Sequence, residues 1–251
     1  MGISFMSDRT DQKLDNCPLC RSHRLIKLFT LKKEQFVRCE DCGLVHINPK
    51  PDSKVVLSTY QSGYSHSYEK KADKKIKKAV RYVKRLSKKI KNTGRWLDVG
   101  CSAGFVVKAS QDEGFESHGI DIDPDGLDYA KNKLNLTNVS QTTIENTAFE
   151  DASFDIISAY DVIEHVENLH TFTAQLKALL APDGLIDLIT PNLNHWTVPS
   201  DLKRWKEIKP SEHLYYFNKR NLQDLLRRHN LKIIQTRFTL KATLKVLVTH
   251  E

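Results

Sequence analysis

Four of the five cysteines come in two closely spaced pairs. Cys17 and Cys20 form one Cys-x-x-Cys motif, Cys39 and Cys42 form the other, and eighteen residues separate the two motifs. Each pair can present two thiolates from one tight turn, and structural zinc prefers four such sulfurs in a tetrahedral arrangement. Because four cysteine ligands leave no open coordination position, the spacing predicts a structural zinc site in a zinc ribbon rather than a catalytic site.

A glycine-rich turn joins an apolar run to a helix-forming segment in residues 96–104, which read WLDVGCSAG. Gly100 and Gly104 allow the backbone to approach a ligand closely, and Asp98 precedes them near the end of the predicted strand. A dinucleotide site has the pattern Gly-x-Gly-x-x-Gly, but here Ser102 stands at the second glycine position and a phenylalanine at the third. Asp98 would also repel a pyrophosphate. The turn therefore favours a ligand that carries no phosphate there.

An acidic residue ends the next predicted strand, in residues 119–123, which read GIDID. Asp121 lies 23 residues after Asp98. An acid at this position of a Rossmann-like site accepts hydrogen bonds from the ribose hydroxyls. Ile122, next to it, can pack on the face of an adenine. Two successive strand ends thus predict a nucleoside-binding edge.

Two further segments bring carboxylates and imidazoles to strand ends. Asp161, Glu164 and His165 follow the fourth strand, at the edge where doubly wound sheets bind ligands. His213 follows the fifth strand, beside Glu212, in a segment expected to form a loop over the pocket. A neutral histidine suits proton transfer near pH 7, so His213 is the candidate base, with Glu164 and His165 as its catalytic neighbours. The alternative is a histidine that only pins the two loops together.

Strands and helices must alternate to position these residues. From residue 95 onward, apolar runs of strand length alternate with helical segments, which indicates a parallel sheet covered on both faces. We therefore expect an α/β fold preceded by the small zinc ribbon. The expected segments are a disordered tail (1–16), the ribbon (17–51), a helical linker with the N-terminal helices (52–94) and the main α/β domain (95–251).

Positive charge is concentrated in one part of the linker. The whole chain carries +8, yet residues 70–91 hold twelve Lys or Arg and one acid, Asp73, so the remainder of the chain is slightly acidic. Ile76, Val80 and Val83 recur at helical spacing within this segment, which predicts a basic amphipathic helix. A uniformly basic nucleic-acid-binding protein is excluded, and only this helix remains as a candidate RNA contact.

No segment indicates export or membrane insertion. The N-terminus lacks the apolar core of a signal peptide. No run approaches the roughly 20 apolar residues that a spanning helix needs. We therefore expect a cytoplasmic protein without a membrane span, whose partner is a small-molecule acceptor rather than a membrane.

Taken in order, these motifs resemble those of class I S-adenosylmethionine-dependent methyltransferases. The resemblance rests on WLDVGCSAG, GIDID, FDIISAYDVIEHVEN (154–168), PNLNHW (191–196) and PSEHLYYFNKRNLQDLL (210–226). Methyltransf_23-type and ubiquinone-pathway-like methyltransferases are similar, and residues 17–60 resemble the zinc-ribbon start of one bacterial subgroup. The resemblance implies a Rossmann-like, seven-stranded, mostly parallel sheet with helices on both faces and an antiparallel last strand.

The resemblance also implies S-adenosylmethionine as the cofactor. Its expected contacts are Asp98, Gly100, Ser102, Gly104, Asp121 and Ile122, and we place Tyr160, at the end of the fourth strand, with them. In ubiquinone-pathway O-methyltransferases and small-RNA methyltransferases, a Glu-x-x-Glu-His motif binds a divalent metal. The similar segment here implies a candidate site for a divalent metal at Asp161, Glu164 and His165, with the shorter Asp161 in place of the first glutamate.

Three functional hypotheses follow. The first is methyl transfer to oxygen or carbon of a small molecule: a sugar, a cell-surface polysaccharide precursor or a secondary metabolite. The second is an rRNA or tRNA methyltransferase that uses the zinc ribbon and the basic helix. The third is a non-catalytic scaffold that keeps only the methyltransferase fold.

Overall fold

A computed structural model describes residues 12–52, 65–90 and 94–251, with side chains in the first helix described from Ala72 onward. The strands are β1 (Leu25–Leu31), β2 (Glu34–Cys39), β3 (Val45–Ile47), β4 (Arg95–Val99), β5 (Glu116–Asp121), β6 (Val139–Gln141), β7 (Phe154–Tyr160), β8 (Leu180–Pro191), β9 (Tyr215–Tyr216), β10 (Leu231–Thr236) and β11 (Thr243–His250). The helices are α1 (Ser65–Ser87), α2 (Phe105–Asp112), α3 (Pro124–Leu134), α4 (Leu169–Leu179) and α5 (Lys219–Arg227). None of the helices within these ranges is long and apolar enough to cross a bilayer.

The larger sheet has seven strands in the order β10-β11-β8-β7-β4-β5-β6. The five strands from β8 to β6 run parallel, whereas β11 pairs antiparallel with both β8 and β10. After β4 the chain adds β5 and β6 on one side of that strand, and then adds β7 and β8 on its other side. The carboxyl ends of β4, β5 and β7 therefore meet at one edge. Ligands bind at such a switch point in open α/β sheets. The expected seven-stranded Rossmann-like sheet with an antiparallel last strand is confirmed.

Helices cover both faces of this sheet. On one face, α1, α2 and α3 pack over a cluster that includes Trp96, Ile156 and Leu247. On the other face, α4 and α5 pack over Leu97 and Ile186. These strand residues are almost completely buried, because a parallel sheet covered on both faces has no solvent side. Full burial of each large apolar side chain contributes roughly 1.5–3 kcal/mol.

Side-chain caps fix where three helices begin. Asp123 accepts a hydrogen bond from the Asp125 backbone at the start of α3, and Pro124 occupies the first helical position. At the start of α5, Asn218 and Asn221 exchange reciprocal hydrogen bonds with each other's backbone N–H. Asn168 caps α4 by accepting from two backbone N–H groups. The loops before these helices therefore leave the sheet edge at defined points.

The smaller sheet joins the N-terminal segment to the main domain. Its order is β1-β2-β3-β9, and its last strand comes from the region between β8 and α5. Val45 pairs with Tyr216 and His46 with Tyr215. The buried cysteines share one apolar cluster with residues of the seven-stranded sheet and with α4 and α5. The N-terminal segment is thus integrated into the core.

The end of the predicted disordered tail differs from expectation. Gln12 forms a β-bridge with Lys50. Asn48 exchanges two hydrogen bonds with the backbone of Leu14, at 2.9 and 2.8 Å. Because these polar groups pair with the segment that closes the ribbon, residues 12–16 are anchored to it. Residues 1–11 lie outside the described part of the chain.

Candidate active site and metal centre

The four paired cysteines meet in one cluster. All four sulfur atoms lie within 4.8 Å of one another, with Cys17 Sγ 3.6 Å from Cys42 Sγ and Cys20 Sγ 3.5 Å from Cys39 Sγ. Gly43 follows the second pair with a φ of 74°, and its N–H donates to the Cys39 carbonyl at 2.9 Å, which forms the tight turn that the pair needs. None of the four is in a disulfide. The arrangement fits the four thiolate ligands of a structural zinc ion.

Electrostatics within the cluster favour a bound cation. A hydrogen bond from Cys42 lowers the pKa of Cys17 to about 5, whereas burial raises the pKa of Cys20 to about 11. Without a cation, the first thiolate therefore opposes ionisation of its neighbours. A divalent cation would offset this repulsion and stabilise all of the thiolates together. Its binding would therefore release their protons.

The glycine-rich turn after β4 has the backbone shape that the sequence predicts. Gly100 and Gly104 both have φ values of 72°, in the left-handed region. A Cβ atom on Gly100 would lie 2.4 Å from Val162 Cγ2, and one on Gly104 would lie 2.5 Å from Leu136 Cδ1. Side chains are thus excluded at both positions for steric as well as conformational reasons. The turn exposes backbone at the carboxyl edge of β4.

Asp121 links this turn to the end of β5. Its carboxylate accepts hydrogen bonds from the backbone N–H of Ser102 at 2.7 Å and of Asp123 at 2.8 Å. Burial raises the pKa of Asp121. Ile122 follows it, half-buried, and its carbonyl accepts from Gln141. The structure therefore brings the two strand ends that we expected to bind a nucleoside into direct contact.

Asp98 and Tyr160, which we expected to contact the cofactor, have different surroundings. Asp98 is buried beneath the turn, where Ser158 donates a hydrogen bond to it and burial raises its pKa to about 7. Tyr160, at the end of β7, donates its hydroxyl hydrogen bond to Asp187 at 2.8 Å. Its hydroxyl therefore faces the side of the sheet that α1 covers.

Asp187 is a residue that the sequence analysis missed. It is fully buried in β8 and forms ion pairs with Arg85 of α1 and with Arg237 after β10. The available signal was an acid inside the apolar run LIDLI (185–189). Buried carboxylates are almost always paired, so this residue required a cation that adjacent sequence does not supply.

Glu164, His165 and His213 come together at the carboxyl edge of β7 and β8. Their candidate ligand atoms all lie within 4.8 Å of one another. Thr190 donates to Glu164 Oε2 at 2.9 Å, and the two imidazole rings are perpendicular with centroids 4.6 Å apart. Glu164 Oε1 and His213 Nδ1 make no hydrogen bond within the described ranges. The sequence had placed these three residues on two separate loops.

Burial disfavours the charged form of each of these three side chains. It raises the pKa of Glu164 well above its ordinary value, lowers that of His165 to about 4 and lowers that of His213 to about 2. The sequence analysis expected a histidine that titrates near pH 7. The structure differs because His213 is only 2% exposed. Both imidazoles are therefore neutral at pH 7, and Nδ1 of His213 makes no hydrogen bond among the described residues.

The loops carrying these residues are pinned together. His165 Nδ1 lies 2.8 Å from the backbone carbonyl of Glu212, and the N–H of Leu214 donates to the Glu164 carbonyl at 2.8 Å. Glu212, which we expected to act beside His213, thus contacts His165 through its backbone carbonyl. The loop-pinning contact is made by His165, which leaves Nδ1 of His213 without a hydrogen bond in the part of the chain described.

Asp161 lies outside the group that could hold a metal. The sequence grouped it with Glu164 and His165, but among described residues the ligand atoms that converge are those of Glu164, His165 and His213. Asp161 has a φ of 57° and is exposed. Although the residue reaches solvent, the surrounding protein desolvates its carboxyl group and so raises its pKa, and the positive charge of Lys78 is the largest influence that opposes the rise.

His195 and Trp196 occupy a different position on the same edge. His195 Nε2 lies 3.0 Å from the Thr239 carbonyl, and the Trp196 side chain is 74% exposed. His195 also lines a groove of about 720 Å³ together with Phe29 and Arg38 of the small sheet. This groove places the N-terminal sheet next to the loop that follows β8.

Comparison with known proteins agrees with this geometry. A family model described as "Methyltransferase domain" (Methyltransf_23) matches residues 64–236. The ubiquinone biosynthesis O-methyltransferase of Actinobacillus pleuropneumoniae serotype 7 is 34% identical over 105 residues, which cover 38% of this chain and 45% of the relative. The enzyme of the same name from Bartonella tribocorum is 28% identical over 55% of this chain and 60% of the relative. The chain thus spans less than half the length of the first of these relatives.

Solved structures share the fold. The 1,6-didemethyltoxoflavin-N1-methyltransferase of Burkholderia thailandensis, with bound 1,6-didemethyltoxoflavin and S-adenosylhomocysteine, superposes with a TM-score of 0.60. It is 14% identical, and the match covers 89% of this chain and 98% of that one. A methyltransferase from Bacteroides fragilis in complex with S-adenosyl-L-homocysteine has a TM-score of 0.52 and 22% identity, over 67% of this chain and 76% of that one.

Proposed function

This chain belongs to the methyltransferase-domain family of class I S-adenosylmethionine-dependent methyltransferases, and from that premise we propose that it transfers a methyl group to an oxygen atom of a small molecule. One observation carries the proposal: the glycine turn and Asp121 adjoin, along one sheet edge, the buried group of Glu164, His165 and His213. A cofactor cradle thus lies beside groups that can take a proton. The names of the ubiquinone-pathway relatives support oxygen as the acceptor atom.

We propose that the turn and Asp121 hold the cofactor. Gly100 and Gly104 give the turn its left-handed backbone, and the absence of a Cβ atom leaves room for Val162 and Leu136 to pack against it. The Asp121 carboxylate already orders the turn by accepting from Ser102, and it is the acid placed to accept hydrogen bonds from ribose hydroxyls. Asp98 supports the turn from below, and Ile122 offers an apolar contact for the adenine.

Bound S-adenosylmethionine supplies a methyl group on a positively charged sulfur. The acceptor oxygen would take that methyl group as the carbon–sulfur bond breaks, and the electron pair of the broken bond would stay on sulfur. The acceptor hydroxyl must lose its proton in the same process. Neutral His213 can accept that proton. Alternatively, Glu164, His165 and His213 fit a divalent cation, because one carboxylate oxygen and one imidazole nitrogen of the group have no hydrogen-bond partner among described residues. The strongly lowered pKa of His213 makes it a weak base and favours this second role.

We also propose that the cysteine cluster holds one structural zinc ion. Its four sulfurs satisfy the coordination number of zinc without an open position, so no step of methyl transfer uses this metal. The division into a ribbon (17–51), a linker (52–94) and a main domain (95–251) remains our proposal for the domain organisation. The shared sheet through β9 joins the first of these to the last.

Replacing Asp121 with alanine is expected to weaken S-adenosylhomocysteine binding by about 10- to 100-fold, because a carboxylate acceptor of charge-assisted hydrogen bonds is lost. Asp121→Asn keeps one acceptor oxygen and should lose less. Calorimetric titration of the purified chain measures both. Asp128→Ala, an exposed acid on α3, is the matched control and should bind like the wild type. Unchanged affinity in Asp121→Ala would place the nucleoside elsewhere.

The RNA hypothesis makes a separate prediction. Four lysines cluster in α1: Lys74, Lys75, Lys77 and Lys78. Two of them lie over aromatic rings of the protein, since Lys75 Nζ is 5.7 Å from the Phe105 ring centre and Lys78 Nζ is 5.4 Å from that of Tyr82. We expect the exposed Lys74 and Lys77 to form an ordinary solvated face. Filter binding with a tRNA should then show no saturable binding that Lys74→Glu/Lys77→Glu removes. Tight binding that falls steeply with salt and disappears in this double variant would establish an RNA substrate instead.

A further inference from the structure

Positive side chains gather on the face of the large sheet that α1 covers, at its carboxyl edge. Arg237 donates its backbone N–H to the Lys245 carbonyl, Lys245 pairs with Ile189, and Ile189 pairs with Tyr160. The last two strands therefore present Arg237 and Lys245 in the same row as Tyr160, and paired residues in a row share one face of a sheet. The helix α1 adds Lys78 and Arg85 from above. We call Lys78, Arg85, Arg237 and Lys245 the cation cluster.

Within the described ranges, one carboxylate pairs with the cation cluster. Asp187 is fully buried, and its carboxylate lies 2.8 Å from Arg85 Nη2 and 2.6 Å from Arg237 Nη2. It also accepts the Tyr160 hydroxyl at 2.8 Å. Two guanidinium groups thus converge on a single negative charge. Asp187 offsets one of them and leaves the other in excess.

The remaining donors point to a missing anion. In the described part of the protein, Nε and Nη1 of Arg237 and Nε of Arg85 are buried and donate to no acceptor. Arg237 Nη2 and Asp187 Oδ1 form an ion pair at 2.6 Å but make no hydrogen bond. Lys78 and Lys245 have their Nζ atoms 5.4 and 5.6 Å from the Tyr82 ring centre, and Lys245 Nζ lies 3.5 Å from the Tyr82 hydroxyl. Buried donors without acceptors are costly, so a site with several of them favours a ligand that supplies the acceptors.

The cation cluster adjoins the place where the acceptor must react. Tyr160, which contacts both Asp187 and the ring of Tyr82, immediately precedes Asp161 and lies four residues before Glu164. The positive charges of Lys78 and Lys245 both act on the Asp161 carboxyl. Glu164 binds Thr190, whose side chain lies on the opposite face of the sheet from Ile189 and Lys245, so an acceptor at Glu164, His165 and His213 would reach the cluster by crossing the carboxyl ends of β7 and β8.

We propose that the cation cluster binds an anionic group of the methyl acceptor, a carboxylate or a phosphate. A guanidinium presents paired N–H donors that match the two oxygens of either group, and the lysines add charge without fixed geometry. This inference rests on the proposed function, because it takes the bound molecule to be the acceptor. It assigns to this chain an acidic substrate class rather than a neutral sugar or an uncharged metabolite.

The test uses the full chain saturated with S-adenosylhomocysteine. Calorimetric titration with sodium pyrophosphate and, separately, with sodium benzoate distinguishes a phosphate site from a carboxylate site. We expect one of the two probes to bind at a single saturable site. Lys245→Gln and Arg237→Gln should each weaken that binding about tenfold or more, because each removes a charge-assisted contact. Arg237→Lys should fall between the wild type and Arg237→Gln, because it keeps the charge and loses the paired donors.

The controls separate this inference from the proposed function. Lys241→Gln removes an exposed lysine four residues from Lys245 and should leave probe binding unchanged. Lys245 is half-buried at the surface, so Lys245→Gln should fold even where a change at Arg237 does not. Absence of saturable binding by both probes, an equal loss in Lys241→Gln, or a loss of S-adenosylhomocysteine affinity in Lys245→Gln as large as the loss of probe affinity would each overturn the anion site. Failure of the wild type to bind S-adenosylhomocysteine would instead contradict the proposed function.

Discussion

Replacing Cys17 and Cys20 together with serine is expected to remove one zinc ion per chain and to destabilise the whole protein, not only its N-terminal segment. Structural zinc binds zinc-finger peptides with roughly 10–16 kcal/mol of apparent free energy, and that energy is coupled to folding. The cysteines share their apolar cluster with Leu214 and Phe217 near the candidate active site. Elemental analysis should find zinc in the wild type and none in the variant, and thermal unfolding of the variant should begin at a markedly lower temperature.

Cys101 provides the matched control, because it is the one cysteine outside the cluster. Cys101→Ser should keep one zinc ion per chain. Two results would contradict the zinc assignment: freshly purified wild type without zinc, or a double variant that unfolds at the same temperature as the wild type. Separate unfolding of the N-terminal segment, with the remainder unaffected, would instead contradict the continuous core.

Replacing His213 with alanine is expected to lower turnover by about 10²- to 10⁴-fold while S-adenosylhomocysteine affinity stays within about twofold. The side chain lies with Glu164 and His165 on loops that follow β7 and β8. Turnover is measured as S-adenosylhomocysteine formed with a panel of small phenolic and hydroxylated acids. His250→Ala, at the opposite edge of the sheet, should retain wild-type turnover. Near-normal turnover in His213→Ala would leave that residue a purely structural role.

A chelator distinguishes the two roles of this group. If Glu164, His165 and His213 hold a divalent cation, ethylenediaminetetraacetate should abolish turnover and added magnesium or zinc should restore it. If His213 acts alone as the base, turnover should survive chelation. Glu164→Gln adds a second readout, because it should abolish binding of added metal at this site while the zinc content of the cysteine cluster stays at one per chain.

Local patterns were sufficient to predict a parallel sheet covered on both faces and the glycine-rich turn, whereas the seven strands and the antiparallel last strand were expected from the family resemblance. The central strands β4 and β7 are short, mostly buried runs rich in apolar residues. The caps Asp123 and Asn218 have side chains that fix a helix start by themselves. The glycines at 100 and 104 are needed by the backbone at those positions. Such signals lie within a few residues of the feature that they determine, so they can be recognised without knowledge of the fold.

Features that depend on distant pairing were not predicted. The two-residue strand β9 has no pattern of its own, and it exists because β3 pairs with it across more than 160 residues of chain. Asp187 gives a local signal, but its partners Arg85 and Arg237 come from the first helix and the last loop. The low pKa of His213 likewise arises from burial by several separate segments. Sequence spacing could identify the residues in these cases but not their environment.

The pairing of β3 with β9 has a consequence for how this architecture can vary between proteins. The short strand belongs to the same loop as His213, and the N-terminal segment supplies its only neighbouring strand in the described sheet. An exchange of the α/β domain alone between homologues would leave that loop facing a surface it did not evolve with. Chimeras joined between the two units should therefore be active only when both come from one parent.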